Sequence, residues 1–163
     1  MDCAVKILLT EVKYEVKFDT WLKEKILNAE EKNRNKERKV VDYAYKNDKA
    51  EDWLVRKIQD AVDNVNGELR WCIVEPARLQ SDEILDNPDE WTIHLRFSPL
   101  WFGSLRALKM DIHRYVCEYV LSQWYRIVQP QMGLAYLESA NEYLTKAYNE
   151  ARSEKVVVEP WRM

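Results

Sequence analysis

The sequence predicts a mainly α-helical bundle with a small β-hairpin and an extended C-terminal tail. Three features predict it: scarce glycine and proline, long apolar stripes at helical spacing, and short segments with strand alternation. The chain has 3 glycines and 5 prolines among 163 residues, less than half of the roughly 12% that these two residues average. Because tight turns depend on them, this scarcity favours long helices over a many-stranded barrel or sandwich.

Three long helices are predicted, near residues 51–69, 104–128 and 133–152. In each, apolar residues recur three and four positions apart, which gives one continuous stripe for packing. Gly103 and Ser104 are residue types that commonly precede the first turn of a helix, and they mark the start of the second predicted helix. Pro130 ends that helix before the third one begins. The last two helices should pack as an antiparallel hairpin across the short turn at 129–133.

The N-terminal region admits two interpretations. The apolar run Val5 to Leu9 is typical of a strand or of the entry to a helix. Over 11–19, apolar and charged residues alternate with strand period. The same region has apolar residues that share one helical face, namely Tyr14, Phe18, Trp21, Leu22 and Ile26. We favour helix for 11–19.

Two short segments predict the hairpin. Residues 71–74 form an apolar run that Pro76 ends, and 91–97 alternate between apolar and polar side chains. The two are expected to pair antiparallel across the acidic loop 75–90.

The length fits one domain, which we place at residues 1–152, with a charged insertion at 28–52 and the acidic loop at 75–90. The insertion is a solvated connection, an exposed helix or a mobile loop. Residues 153–163 form the extended tail, which is expected to add to the hairpin or to a neighbouring molecule.

Composition and pattern exclude several kinds of protein. The isolated glycines support no phosphate-binding loop. No run is apolar enough to span a membrane, and we see no signal peptide. Three widely spaced cysteines are typical of reduced thiols inside a cell.

We predict no catalytic residue, metal site or cofactor, and no enzymatic activity. His113 and Cys117 share a helix face, but two ligands fall short of a zinc site and Cys72 would have to join them. A hydrolytic set of Asp111 and His113 with Ser104 or Ser122 lacks a strained nucleophile turn. Core or partly buried roles for these residues are favoured.

Two groups of residues are candidates for contacts. A basic run is expected to contact DNA phosphates or another subunit, with a solvated charged helix as the favoured alternative. Its members are Lys32, Arg34, Lys36, Arg38 and Lys39. The supply of 7 Trp and 9 Tyr indicates either a subunit interface or a core built from large residues. The interface candidates are Trp91, Trp101, Trp161, Val156, Val157 and Val158.

Two stretches carry a resemblance to a known class of proteins. They are TEVKYEVKFDTWLKEK, which begins at residue 10, and residues 107–151, where a helix ending in Trp124-Tyr125 precedes a Tyr/Ala-rich helix. The pattern resembles small virion proteins of Bacteroides-type phages and prophages. It is similar, more loosely, to head–tail connector (adaptor or neck) proteins of tailed phages.

The resemblance implies a virion protein without an active site, made in the cytoplasm of the host bacterium. Such subunits form a ring, often twelve-fold, below the portal, surround the DNA channel and contact tail or neck proteins. The alternative is a cytoplasmic helical adaptor or regulatory module that binds a protein partner through its Trp/Tyr-rich surface.

Overall fold

A computed structural model describes residues 1–31, 48–74 and 89–154 of the chain. The basic run 32–39, most of the acidic loop and the tail from 155, with Trp161 and the three valines, lie outside the described residues. The described elements follow one another as β1 (Asp2–Leu8), α1 (Leu9–Glu31), α2 (Asp48–Glu68), β2 (Glu90–Arg96), α3 (Leu105–Val128) and α4 (Pro130–Ala151). The predicted mainly helical class is confirmed, and residues 11–19 are helical.

Helices α3 and α4 form the predicted antiparallel hairpin. The Ser104 side chain accepts a hydrogen bond from the Ala107 amide and caps the start of α3. Only Gln129 separates the two helices, because α4 begins at Pro130 rather than near residue 133. Proline fits the first position of a helix, since the amide hydrogen that it lacks would have no helical partner there.

Helices α3 and α4 approach each other closely at Gly133, in the first turn of α4. A Cβ atom there would lie 2.6 Å from the backbone nitrogen of Arg126 and 3.0 Å from the carbonyl oxygen of Ser122. Both atoms belong to the backbone of α3 and cannot rotate away. Gly133 is therefore a packing position inside the hairpin and not only the end of a break.

The small sheet pairs the N-terminal strand with β2. β1 and β2 run antiparallel, with Asp2 opposite Arg96 and Leu8 opposite Glu90. The predicted pairing of 71–74 with 91–97 is also present, but as a single bridge between Ile73 and Leu95. The main partner of β2 is thus the apolar run at Val5, which the sequence left open between strand and helix.

The core lies between this sheet and the helices. Alternate residues of the two strands are buried, as expected for a sheet with one covered face. They join one apolar cluster with the inner faces of α1, α2, α3 and α4. Helix α3 supplies the largest share and contacts the other three helices and β1.

Two tryptophans predicted at a subunit interface pack within this fold. Trp91 is 6% exposed, and its indole nitrogen donates to the Gln59 side chain at 2.8 Å. Alternation along β2 turns Trp91 into the core of the subunit rather than towards a neighbour. Trp101 is half-buried, stacks on Phe97 with ring centroids 4.3 Å apart, and donates to the carbonyl of Glu150.

Candidate functional site

Helix α1 has apolar side chains on two opposite faces. Leu9, Val12 and Val16 are buried against the core. Tyr14 and Phe18 follow Val12 and Val16 by two positions, which turns them about 200° around the helix axis and towards solvent. One face of α1 therefore holds the helix in the fold, and the other presents large apolar groups to the outside.

The outer side chains form a continuous surface, which we call the aromatic ridge; it consists of Tyr14, Phe18, Trp21 and Leu22. Each of the four is between 42% and 69% exposed. The rings of Tyr14 and Phe18 stack at 6.3 Å between centroids, and those of Phe18 and Trp21 follow at 6.2 Å. The spacing of four and then three residues keeps the rings in one row along the helix.

The composition of the ridge suits binding to another protein. Trp and Tyr carry much of the energy at the centre of protein interfaces, because each buries a large rigid surface at a small cost in side-chain entropy. From residue 11 to residue 25, α1 has four acidic and four basic residues. This segment of α1 therefore carries no net charge, and two copies of it can approach each other without net repulsion.

A cluster of polar groups fixes α1 to the α3–α4 hairpin. The Tyr136 hydroxyl donates to the Asp19 carboxylate at 2.7 Å. The Lys23 ammonium lies 3.6 Å from the same carboxylate and 4.0 Å from the centroid of the Tyr136 ring. Burial raises the pKa of Asp19, and this effect exceeds the opposing attraction to Lys23.

Replacing Asp19 with asparagine tests the sign of this shift. Since the raised pKa means that the folded chain binds the proton more tightly than the unfolded chain, ionised Asp19 lowers the free energy of unfolding at neutral pH. Asp19→Asn, which keeps an acceptor for Tyr136, should melt at or slightly above the wild-type temperature at pH 7.5. The difference should shrink as the pH falls towards the usual carboxyl range, where the wild-type carboxyl becomes protonated.

Melting curves of both proteins between pH 4 and pH 8 give this difference directly. Asp89→Asn, at an exposed carboxylate, serves as the control. A variant that is least stable relative to wild type at neutral pH would show that the ionised carboxylate stabilises the fold.

A second group of side chains converges where α1 packs on α3. In the described ranges, one set of three metal-type donors lies together: Glu15, His113 and Cys117, with donor atoms within 4.8 Å of one another. Glu15 Oε1 is 3.0 Å from His113 Nε2, and Cys117 Sγ is 3.6 Å from the same nitrogen. Burial, followed by the Glu15 carboxylate, raises the pKa of the Cys117 thiol.

This arrangement does not fit a nucleophilic cysteine. In a cysteine–histidine–acid relay, the thiol and the acid contact opposite nitrogens of the imidazole ring. Here both contact Nε2, and a thiol whose pKa is raised is a poor nucleophile. The serines considered with His113 are also engaged elsewhere: Ser104 caps α3, and the Ser122 hydroxyl donates to the Tyr119 carbonyl.

Sequence reasoning placed the candidate site only in part. It identified the helical face of Tyr14, Phe18, Trp21 and Leu22, but not that this face points outward. It paired His113 with Cys117 but missed Glu15, which is 98 positions away in the chain. Cys72 does not join them, since it is buried beside Leu69, whose carbonyl accepts from its thiol.

Comparisons of the chain with protein-family models, curated proteins and solved structures find no match. Among the helices of the described ranges, none is both long and apolar enough to cross a membrane.

Proposed function

We propose that this protein is a structural subunit that works by assembling with copies of itself through the aromatic ridge. The observation that carries the proposal is the second apolar face of α1, with a row of three exposed aromatic rings in the described part of the chain. Large apolar patches on a protein surface mark interaction sites far more often than isolated apolar residues do. A second copy suits this surface, because residues 11–25 of α1 carry no net charge.

In its more specific form, the proposal is a head–tail connector or neck-ring subunit of a tailed phage. The support is the resemblance of two stretches. The first, which begins at residue 10, contains the whole ridge, and the second, 107–151, contains most of α3 and all of α4. In this role the subunits surround the DNA channel below the portal and bind tail or neck proteins. The virion is then the place where the protein acts.

A ring requires that the ridge of one subunit meets a different surface of the next, because head-to-tail contacts are heterologous. Other large apolar side chains are available for that role. Phe102 and Trp71, which both lie outside α1, are exposed. A contact of the ridge with itself would instead close a two-fold dimer. The mass of the assembly therefore separates these two arrangements.

Sedimentation velocity of the purified full chain over a hundredfold range of concentration tests the proposal, with negative-stain electron microscopy of the largest species. We expect a concentration-dependent increase in mass beyond a dimer, and rings in the images. A species that stays monomeric at every concentration would contradict self-assembly and favour the adaptor role. A dimer that grows no further would contradict the ring while supporting self-assembly.

A further inference from the structure

We propose that Glu15, His113 and Cys117 form a zinc site that joins α1 to α3. The proposal rests on the convergence of three donor atoms of different chemistry from two helices. His113 and Cys117 are one turn apart on α3, so the helix itself aims both side chains in the same direction. Glu15 supplies the third donor atom and lies in the first half of α1.

Two of the three distances between donor atoms are close to those of a tetrahedral centre. Zinc binds histidine nitrogen and carboxylate oxygen at about 2.0–2.2 Å and cysteine sulfur at about 2.3 Å, so neighbouring ligands lie about 3.3–3.6 Å apart. The sulfur–nitrogen distance is 3.6 Å, which already fits. The oxygen–nitrogen distance is 3.0 Å, and the sulfur and the carboxylate oxygen lie within 4.8 Å of each other. Rotation of the half-exposed Glu15 side chain would bring its oxygen to the required distance from both.

The donor set selects the metal. A thiolate and an imidazole favour zinc and similar transition ions over calcium and magnesium, which prefer oxygen ligands. Zinc binding exchanges the thiol proton for a sulfur–zinc bond and releases the proton to solvent, with no change in oxidation state. The histidine binds through the nitrogen that faces the other two ligands.

The site is accessible from one side. Cys117 is 4% exposed, whereas the side chains of His113 and Glu15 are 22% and 51% exposed. These two also line a surface groove, together with Glu11 and Lys109. An ion can enter through this groove, and a water molecule from it would complete the coordination as the fourth ligand.

The charges around the groove allow a cation to bind. Glu11 and Glu118 add negative charge close to Cys117. Lys6 and Arg114 also line the groove. Lys6 is paired with Glu90 at 3.1 Å, whereas Arg114 donates to the neutral Tyr143 hydroxyl and keeps its charge. Among the described residues of the groove, Lys109 and Arg114 therefore face three carboxylates, those of Glu11, Glu15 and Glu118.

Titration of the full chain with Co²⁺ tests the site, because tetrahedral cobalt with a thiolate ligand has a sulfur-to-cobalt charge-transfer band and strong visible absorption. We expect one Co²⁺ per chain, displaced by one equivalent of Zn²⁺. Zn²⁺ should also raise the melting temperature, because it binds the folded chain in preference to the unfolded one. Absence of the charge-transfer band in the wild-type protein would overturn the proposal.

Two matched pairs of variants assign the ligands. Cys117→Ser should lose the charge-transfer band, whereas Cys72→Ser, at another buried thiol, should keep it. His113→Gln should weaken binding, whereas His94→Gln, on β2, should not. A band that persists in Cys117→Ser or disappears in Cys72→Ser would contradict the assignment.

Glu15→Gln keeps the test valid if the α3 variants fail to fold, because the Glu15 side chain is half exposed and its replacement should leave the core intact. We expect zinc affinity to fall by at least the roughly 10- to 100-fold that is typical when an outer partner of a metal ligand is lost. Unchanged affinity in a folded Glu15→Gln protein would exclude the carboxylate as a ligand. The site does not depend on the proposed assembly, so failure of either leaves the other standing.

Discussion

Replacing Phe18 with glutamate is expected to abolish self-association of the chain while leaving the fold of the subunit intact. Phe18 is the middle ring of the aromatic ridge; it stacks on Tyr14 and lies 6.2 Å from the Trp21 ring, between centroids, in a tilted arrangement. Truncation of a central aromatic residue commonly costs an interface about 2 kcal/mol or more, which is about a 30-fold loss of affinity. The glutamate carboxylate at the same position adds the cost of burying an unpaired charge in the contact.

Sedimentation velocity at matched concentrations measures this effect, and circular dichroism checks the fold. Since the Phe18 side chain is 52% exposed, its replacement should change the melting temperature little. Ile127→Glu is the control, because Ile127 is 73% exposed and lies at the C-terminal end of α3. Equal loss of assembly in both variants would point to a general effect of added charge. Unchanged assembly of Phe18→Glu would show that the ridge is not the contact between subunits.

Replacing Gly133 with alanine is expected to destabilise the subunit itself. The new methyl group would lie 2.6 Å from the backbone nitrogen of Arg126 and 2.8 Å from its Cα, so α4 must move away from α3. Overpacking of this kind typically costs about 1–3 kcal/mol. For a domain of this size, that lowers the melting temperature by about 2–4 °C per kcal/mol.

Gly67→Ala is the matched control within α2. A Cβ atom at Gly67 meets nothing within 4 Å, and alanine restricts the unfolded chain more than glycine does. We therefore expect Gly67→Ala to stabilise the protein by about 0.5–1 kcal/mol. Chemical denaturation of both variants should give opposite signs. A Gly133→Ala protein as stable as wild type would show that the two helices separate at little cost.

The helices were predictable because their packing patterns are local. The apolar stripes of α2, α3 and α4 repeat every three or four residues, and a proline marks the turn between the last two. The start of α4 was misplaced by three residues because Gly133 looked like part of a break. Its actual role, close contact with the backbone of α3, depends on a neighbouring helix that no local pattern reveals.

The region 11–19 was ambiguous for a physical reason. A helix with apolar residues on two opposite faces places them two positions apart, and this spacing imitates the alternation of a strand. Val12 and Val16 face the core, and Tyr14 and Phe18 face solvent. The sheet was harder to predict, because its main partners, β1 and β2, are more than eighty residues apart in the chain.

The candidate sites differ in how far the sequence could predict them. The residues of the ridge are visible as one helical face, but their exposure depends on which face of α1 the rest of the fold covers. His113 and Cys117 are visible as a pair at helical spacing. Nothing in the sequence indicates that Glu15 lies beside them, because only the packing of α1 on α3 brings its carboxylate to 3.0 Å from the His113 ring nitrogen.

Photo-cross-linking from within the ridge tests most directly whether this surface contacts another copy of the chain. A photoreactive phenylalanine analogue at position 18, with the same analogue at position 127 as the control, would be irradiated in the otherwise unchanged full-length protein. We predict covalent multimers of the chain from position 18, with few from position 127. Cross-linked multimers absent at position 18, or equally abundant at both positions, would contradict assembly through the aromatic ridge.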